Sequence, residues 1–295
     1  MVTTEETAVP TQVRLSLAHA AVQTLADDHG LDVLHVKGLG LDPALVWEGR
    51  TSTDIDVLVR PDHVRPLLQL LGAHGWRVVT SFETGSAFEH STTLWHDQWE
   101  HLDLHRTFPG IDRDPSQSFD ILWRDRGETR IAGVACPVPS VPAQALLLLL
   151  HAARSAGTGR AKRDVRHVWD EAPPRRRQEI GELVEELGAT VAFSVILGEL
   201  ERHRSAPEYA LWKVWSTGGT RIDEWRARIK AAPTLRRKTR VALRSVLVNV
   251  EHLELVRHRT VTRSEIVVEF FARPLRGLRE EVARRRRPTE RRVGG

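Results

Sequence analysis

Residues 49–61 read Gly-Arg-Thr-Ser-Thr-Asp-Ile-Asp-Val-Leu-Val-Arg-Pro, and the alternation within this stretch decides how the chain is read. In a strand, side chains at i and i+2 share a face. Asp54 and Asp56 therefore point one way, while Ile55, Val57 and Val59 point the other, into a core. Pro61 ends the strand and suits the first turn of a following helix. Two carboxylates side by side repel and raise each other's pKa, a cost relieved where a cation neutralises them. Oxygen donors without a nearby cysteine favour Mg²⁺ or Mn²⁺ over zinc. The plainer alternative is an Asp-x-Asp at a strand mouth that caps turns and faces water. This stretch alone leaves both readings open.

Two further stretches extend the pattern. Glu100 to Arg106, EHLDLHR, sets Leu102 and Leu104 against His101, Asp103 and His105, again one apolar and one polar face. If this strand pairs beside the first, Asp103 completes a three-carboxylate cluster able to hold two Mg²⁺. Two such ions about 4 Å apart bridge phosphates, activate an attacking hydroxyl and stabilise a leaving oxygen. His101 and His105 read as a surface pair on an edge strand. Leu34 to Leu41, LHVKGLGL, is a strand entering a glycine turn and then a helix, where a backbone can approach a phosphate. It has neither the Walker A pattern nor a third glycine for a dinucleotide fingerprint, and a structural turn explains Gly38 and Gly40 equally.

Around these stretches the chain of 295 residues changes character near residue 140. Before it, short apolar runs alternate with helical ones: a helix over Thr11 to His29, strands at Leu31 to Val36, Asp54 to Arg60, Trp76 to Ser81, His90 to Trp95 and Trp99 to His105, a short helix at Pro43 to Trp47 and another over Asp62 to His74. After it, strand signals nearly vanish. The spacing predicts helices at Val141 to Ser155, started by a Ser140 cap, then Ala161 to Glu171, Pro174 to Leu187, Thr190 to Glu201, Pro207 to Val214, Ile222 to Ala231, Leu235 to Leu255 and Arg263 to Arg285. The expected fold class is α+β: a mixed sheet flanked by helices over residues 1–139, an all-helical domain over 140–283, and a basic disordered tail over 284–295.

Composition narrows the function classes. The hydrophobic share of 41% and charged share of 28% are those of a folded globular chain rather than a disordered or collagen-like one. The longest aliphatic run, Ala145 to Leu150, falls far short of the ~20 residues that span a membrane. The opening MVTTEETAVP has no basic residue and no apolar run, so no signal peptide is expected. One cysteine, Cys136, excludes an internal disulfide and a cysteine-rich zinc site; a cytoplasmic protein is expected. The net charge of +4 is concentrated at the end, since residues 271–295 carry nine arginines against three glutamates. Contact with nucleic acid is expected only through that tail, and only non-specifically.

Taken in order, Lys37-Gly38, then Gly49-Arg50-x-Ser-x-Asp54-Ile-Asp56, then Leu-Asp103-Leu-His105 resembles the nucleotidyltransferases of the DNA polymerase beta superfamily. Within it the chain is most similar to a bacterial family of largely uncharacterised nucleotidyltransferases, distant relatives of the minimal and aminoglycoside enzymes. The resemblance spans about Val33 to Ala153. It implies a nucleotidyltransferase-like sheet, Asp54 and Asp56 as ligands of both ions, and Asp103 as third carboxylate and activator of the acceptor hydroxyl. Gly38 falls in the triphosphate-side turn. The usual Gly-Ser or Gly-Gly pair is here Gly38-Leu39, which removes a hydroxyl; Lys37, Arg50 or Ser52 is expected to replace it. Lys162, on a helix with Arg166 one turn on, is expected to close over the triphosphate, against a plainer reading of a solvated face with Asp164 paired internally.

The activity so implied is Mg²⁺-dependent (or Mn²⁺-dependent, two ions) transfer of an NMP from an NTP, with ATP expected, to a hydroxyl of an unidentified small molecule, peptide, protein or RNA, with release of pyrophosphate. The active site is expected in the cleft between the sheet and the helical half, and Asp54→Asn or Asp56→Asn is expected to cost little stability because repulsion is relieved. The alternative is a non-catalytic or regulatory protein of this fold that binds a partner, such as a toxin-antitoxin component. HLDLHRTF also resembles the His-x-Asp loop of small-molecule kinases, but the position of their metal-binding Asn is Phe108.

Overall fold

Helix α1 (Thr11–Asp28) carries Leu15, Ala18, Val22 and Ala26 at intervals of three and four, and all four are buried against Ile55, Val57 and Val59. Gly30, at φ +64°, turns the chain out of it, and the Leu31 amide donates back to the Ala26 carbonyl at 2.9 Å, the left-handed stop that glycine adopts without strain. The computed structural model describes residues 9–83, 88–232 and 234–246, with positions 253, 260–265, 267–269 and 272 beyond them.

Five strands follow: β1 (Val33–His35), β2 (Ile55–Val59), β3 (Arg77–Thr80), β4 (Ser91–His96) and β5 (Glu100–His105), each within a residue or two of the position its alternation predicts. They lie in the order β1-β2-β5-β4-β3. The sheet is mixed: β2 and β5 run parallel, and the other neighbours are antiparallel. One face packs on α1 and on α2 (Val64–Ala73), whose Leu67 and Leu71 meet Trp76 in the same core. Strand β5 stands in the middle of this sheet, bonded on both sides. His101 and His105 are therefore not on an edge, and His105 is 1% exposed.

Beyond β5 come two elements that apolar periodicity did not reveal. Helix α3 (Pro115–Arg124) is capped by Asp114, whose carboxylate accepts from the Ser116 and Gln117 amides. Strands β6 (Gly127–Ile131) and β7 (Val134–Val138) form a separate antiparallel hairpin, turned by Ala132 and Gly133 at φ +48° and +87°. Positive φ at both central positions is the turn that matches the twist of paired strands.

Helix α4 (Val141–Ala153) is buried from Ala143 to Leu150, as its nearly unbroken leucines require. Its Ser140 hydroxyl makes no capping bond, and Pro142 at the second helical position has no amide to offer it. Gln144 instead ties the start of the helix down, accepting from the Asp42 amide at 2.7 Å and donating to the Pro139 carbonyl at 2.8 Å. Helix α5 (Gly159–Val165) runs into a π-helical turn, Arg166–Asp170, and is followed by α6 (Pro174–Glu186) and α7 (Thr190–Ile196). Gly198, at φ +69°, ends the helix expected to reach Glu201.

The chain divides into two compact units, residues 1–198 and 199–295, so the helices from α4 to α7 belong to the same unit as the sheet, and the division falls well beyond the change of character at residue 140. The second unit contains α8 (Tyr209–Thr217), α9 (Arg221–Ala231) and α10 (Leu235–Val246). A capping box, Thr220 with Asp223, starts α9. The expected continuation of α10 to Leu255, most of the helix expected at Arg263 to Arg285 and the tail over 284–295 lie outside the described residues. Among the described residues, no helix is long and apolar enough to cross a membrane.

Candidate active site

Parallel pairing of β2 with β5 sets Asp56 directly beside Asp103. Both side chains leave the sheet on the face opposite the Ile55, Val57, Leu102 and Leu104 core, and Asp54 precedes β2 by one residue at the mouth of the same face. Two of the three carboxylates expected to cluster, Asp56 and Asp103, thus lie side by side because two short strands, far apart in the chain, share one register, and Asp54 stands just outside β2.

Their surroundings differ. Asp56 is 2% exposed, and its Oδ1 accepts from Lys37 Nζ at 2.5 Å and His105 Nε2 at 2.8 Å. Burial works to raise its pKa, but the ammonium and the imidazole outweigh it and hold the carboxyl well below the usual range. Asp54 has no ion-pair partner among the described residues. Burial, then Asp56, and more weakly Asp103, push its pKa up, against a smaller opposing pull from Lys37. Asp103 accepts from the Thr93 hydroxyl at 2.7 Å, across the antiparallel β4–β5 pair. One donor atom each from Asp56, Asp103 and His105 lie within 4.8 Å of one another.

The glycine turn abuts this cluster. Gly38 has φ +63°, and a Cβ there would come within 2.9 Å of Ser52 Oγ; a Cβ on Gly40 would come within 2.9 Å of the His35 carbonyl. Glycine is required at both for close packing. Ser52 Oγ donates to the Asp54 carbonyl at 2.9 Å and, at 3.4 Å, faces Asp54 Oδ1. Of the three side chains expected to replace the hydroxyl missing after Gly38, Ser52 is the one that packs against that glycine, from the segment that leads into β2.

Two expected phosphate contacts, Arg50 and Lys162, have different surroundings. Arg50 Nε donates to Asp164 Oδ1 at 3.0 Å in an ion pair whose side chains are 4% and 2% exposed, and Trp47 Nε1 donates to the same oxygen at 2.7 Å. Asp164 is therefore paired across to the loop before β2 and not with the cations of its own helix. Arg163 stacks on Trp47 and Arg160 donates to the Thr51 carbonyl, so α5 is clamped onto residues 47–51. Lys162 is exposed on α5 and forms no ion pair among the described residues.

Several residues without a signal in the strand pattern surround the carboxylates. Arg154, directly after α4, donates to His151 Nδ1 at 2.9 Å and His90 Nε2 at 3.2 Å. Burial lowers its pKa while the charges of Asp56 and Asp103 oppose that. Burial first, and then neighbouring cations, hold His90 and His151 well below the ordinary imidazole value, so both rings are neutral at pH 7 and present a lone pair to the guanidinium. The available signal was His151 and Arg154 interrupting an otherwise aliphatic helix; His90 and Thr93 carried none.

The arrangement has the parts for phosphate chemistry: carboxylates for a hard cation, buried cations beside them, and a glycine turn at the rim. It lacks those of a kinase catalytic loop, since Asp103 lies inside a strand and Phe108 is buried and stacked on His105.

A family model described as uncharacterised nucleotidyltransferase matches residues 4–202. Among solved structures, the lincosamide antibiotic adenylyltransferase LnuA, lincomycin-bound, is 19% identical over 57% of this chain and 94% of that one, with a TM-score of 0.33. The antibiotic-resistance factor ANT(2'')-Ia is 16% identical over 66% and 96%, with a TM-score of 0.37. An antigenic nucleotidyltransferase-like protein from Paracoccidioides brasiliensis is 12% identical over 62% and 93%, at 0.40. No curated protein matches.

Proposed function

Because the chain belongs to this family of uncharacterised nucleotidyltransferases, we propose that it transfers an NMP from an NTP to an acceptor hydroxyl in a reaction that needs Mg²⁺ or Mn²⁺. The observation that carries this reading is the register of Asp56 on Asp103 across the parallel β2–β5 pair, with Asp54 at its mouth. Three carboxylates on one face fit a divalent cation: burial first, and then Asp56 and Asp103, push the Asp54 pKa up, and the repulsive part of that push is what such an ion would remove.

Asp54, Asp56 and Asp103 would hold the metal, which when bound would neutralise phosphate charge and lower the pKa of a coordinated hydroxyl. In the reaction the acceptor oxygen forms a bond to the α-phosphorus as the bond from that phosphorus to the β-phosphate oxygen breaks. Pyrophosphate leaves and the hydroxyl proton passes to Asp103, oriented by Thr93. Lys37, now paired with Asp56, is near enough to the carboxylates to offer its charge to the triphosphate. Arg154 adds a second buried cation on the same side, and the Gly38 turn with Ser52 forms the phosphate rim. Arg50 serves by holding the 47–51 loop to α5. Lys162 meets the nucleotide from the solvent side. ATP is the expected NTP; the acceptor is a small molecule, peptide, protein or RNA.

The test is to incubate the protein and Mg²⁺ with fractionated cell extract and an NTP labelled at either the α- or the γ-phosphorus. Label from the α position should appear on an acceptor and label from the γ position should not. Transfer of γ-label would point to a kinase, and transfer of neither to a protein that only binds a partner.

A further inference from the structure

We infer that His105 is itself a metal ligand, adding one nitrogen donor to the carboxylates and turning the preference of the site from Mg²⁺ toward Mn²⁺. The inference rests on the metal-dependent reading above and goes beyond it, since that reading needs oxygen ligands only.

Geometry supplies the first argument. His105 Nε2 lies 2.8 Å from Asp56 Oδ1, and a donor atom from each of these residues lies with one of Asp103 inside a 4.8 Å span. Donors on adjacent corners of an octahedron with bonds of about 2.1 Å sit about 3 Å apart. A cation would enter beside nitrogen and carboxylate once the ring turns and Lys37 withdraws, taking the place now held by the shared proton and the Lys37 ammonium.

Rigidity is the second. The ring is 1% exposed, stacks on Phe108 at 5.9 Å between centroids and lies 5.2 Å from the His90 ring. It springs from a strand bonded on both sides, so it is held at the carboxylates rather than swinging in from solvent.

The third is the far nitrogen. His105 Nδ1 is buried and has no hydrogen-bond partner among the described residues, an uncommon state for a buried polar atom. In the neutral ring with Nε2 donating to Asp56, Nδ1 carries the lone pair. When Nε2 takes a cation, its proton moves to Nδ1, and no existing bond opposes that change of tautomer. Imidazole suits the transition metals, whereas Mg²⁺ prefers oxygen, so a nitrogen ligand favours Mn²⁺.

The experiment uses the full chain with Mn²⁺ and inorganic tripolyphosphate, a probe that contains no nitrogen and offers Lys37 an anion. Electron spin-echo modulation of the bound Mn²⁺ should show a directly coordinated nitrogen that changes on ¹⁵N-histidine labelling, disappears in His105→Gln and persists in His101→Gln. His105→Gln should also lower the Mn²⁺ over Mg²⁺ preference about tenfold or more, the scale on which even outer partners of a metal act. Bound Mn²⁺ without nitrogen coupling would overturn the inference and leave the carboxylate site standing; coupling that survives in His105→Gln would also overturn it. Folded protein that binds no Mn²⁺ would overturn both. If His105→Gln fails to fold, a histidine-nitrogen coupling present in both the unaltered chain and His101→Gln supports the inference, and its loss in His101→Gln overturns it.

Discussion

Asp54→Asn and Asp56→Asn should each lower nucleotide transfer by about 10³-fold or more, yet differ sharply in stability. The rate loss follows from the several kcal/mol that a bound cation supplies to the transition state, at about 1.4 kcal/mol per tenfold. The stability difference follows from their partners. Asp54 is the carboxylate whose charge the fold resists, and its amide replacement removes that repulsion while keeping an oxygen for Ser52. Its unfolding free energy should be unchanged or slightly raised. Asp56 is the carboxylate on which Lys37 and His105 converge. An amide there leaves the Lys37 charge buried without its counterion, which costs about 3–5 kcal/mol when one member of a buried pair is removed. The expectation from the sequence, that either change is nearly free, is thus corrected for Asp56: a strand pattern reveals the repulsion between two aspartates but not the lysine that offsets it. Denaturant unfolding of both variants in EDTA checks the difference; equal stability in the two would refute it.

Lys37→Met should be the mirror image. Methionine keeps most of the volume of a side chain that belongs to a residue only 8% exposed but strips Asp56 of its main opposing charge. In EDTA the variant should lose about 3–5 kcal/mol, and saturating Mg²⁺ or Mn²⁺ should restore much of it, because a dication takes over the neutralising role. The pH dependence should also invert. In the wild type the Asp56 carboxyl is held well below its unfolded value, so its stabilising contribution is present above the unfolded pKa of about 4 and persists far into acid. Without Lys37 only His105 opposes burial, and the folded pKa should rise above the unfolded one. The native state then holds the extra proton, and stability falls as pH rises. Lys37→Met should be more stable at pH 5 than at pH 8 relative to wild type. A variant whose deficit neither shrinks with metal nor changes with pH would show that Lys37 is only packed beside Asp56.

What the sequence made legible was local. Alternation around Ile55 to Val59 and Leu102 to Leu104 located the strands of the site, and Asp54, Asp56 and Asp103 follow from it. What it hid was neighbourhood. Whether β5 is an edge or a centre depends on β4 and β2 pairing to either side, a property of sheet order, and so His105 read as a surface residue. Arg50 read as a phosphate contact because its partner, Asp164, lies 114 residues away. The β6–β7 hairpin escaped because Gly127 to Val138 mixes charged and small residues, and its turn is Ala132-Gly133 rather than the Asn-Gly or Asp-Gly that marks such turns. The boundary near residue 140 was read from a loss of strand signals, which marks where β structure ends. Helix α4 nonetheless packs into the first unit, tied through Gln144 to Asp42.

The most direct measurement is thermal unfolding of wild type and an Asp54→Asn, Asp56→Asn double variant with each of the four NTPs, in Mg²⁺ and in EDTA. At 100 times its dissociation constant a ligand stabilises the native state by about 2.7 kcal/mol, about 5–10 °C for a unit of this size. A metal-dependent nucleotide site predicts such a shift with at least one NTP, in Mg²⁺ only and in the wild type only. No shift with any NTP in folded wild type, or a shift that survives both EDTA and loss of the two aspartates, would contradict it.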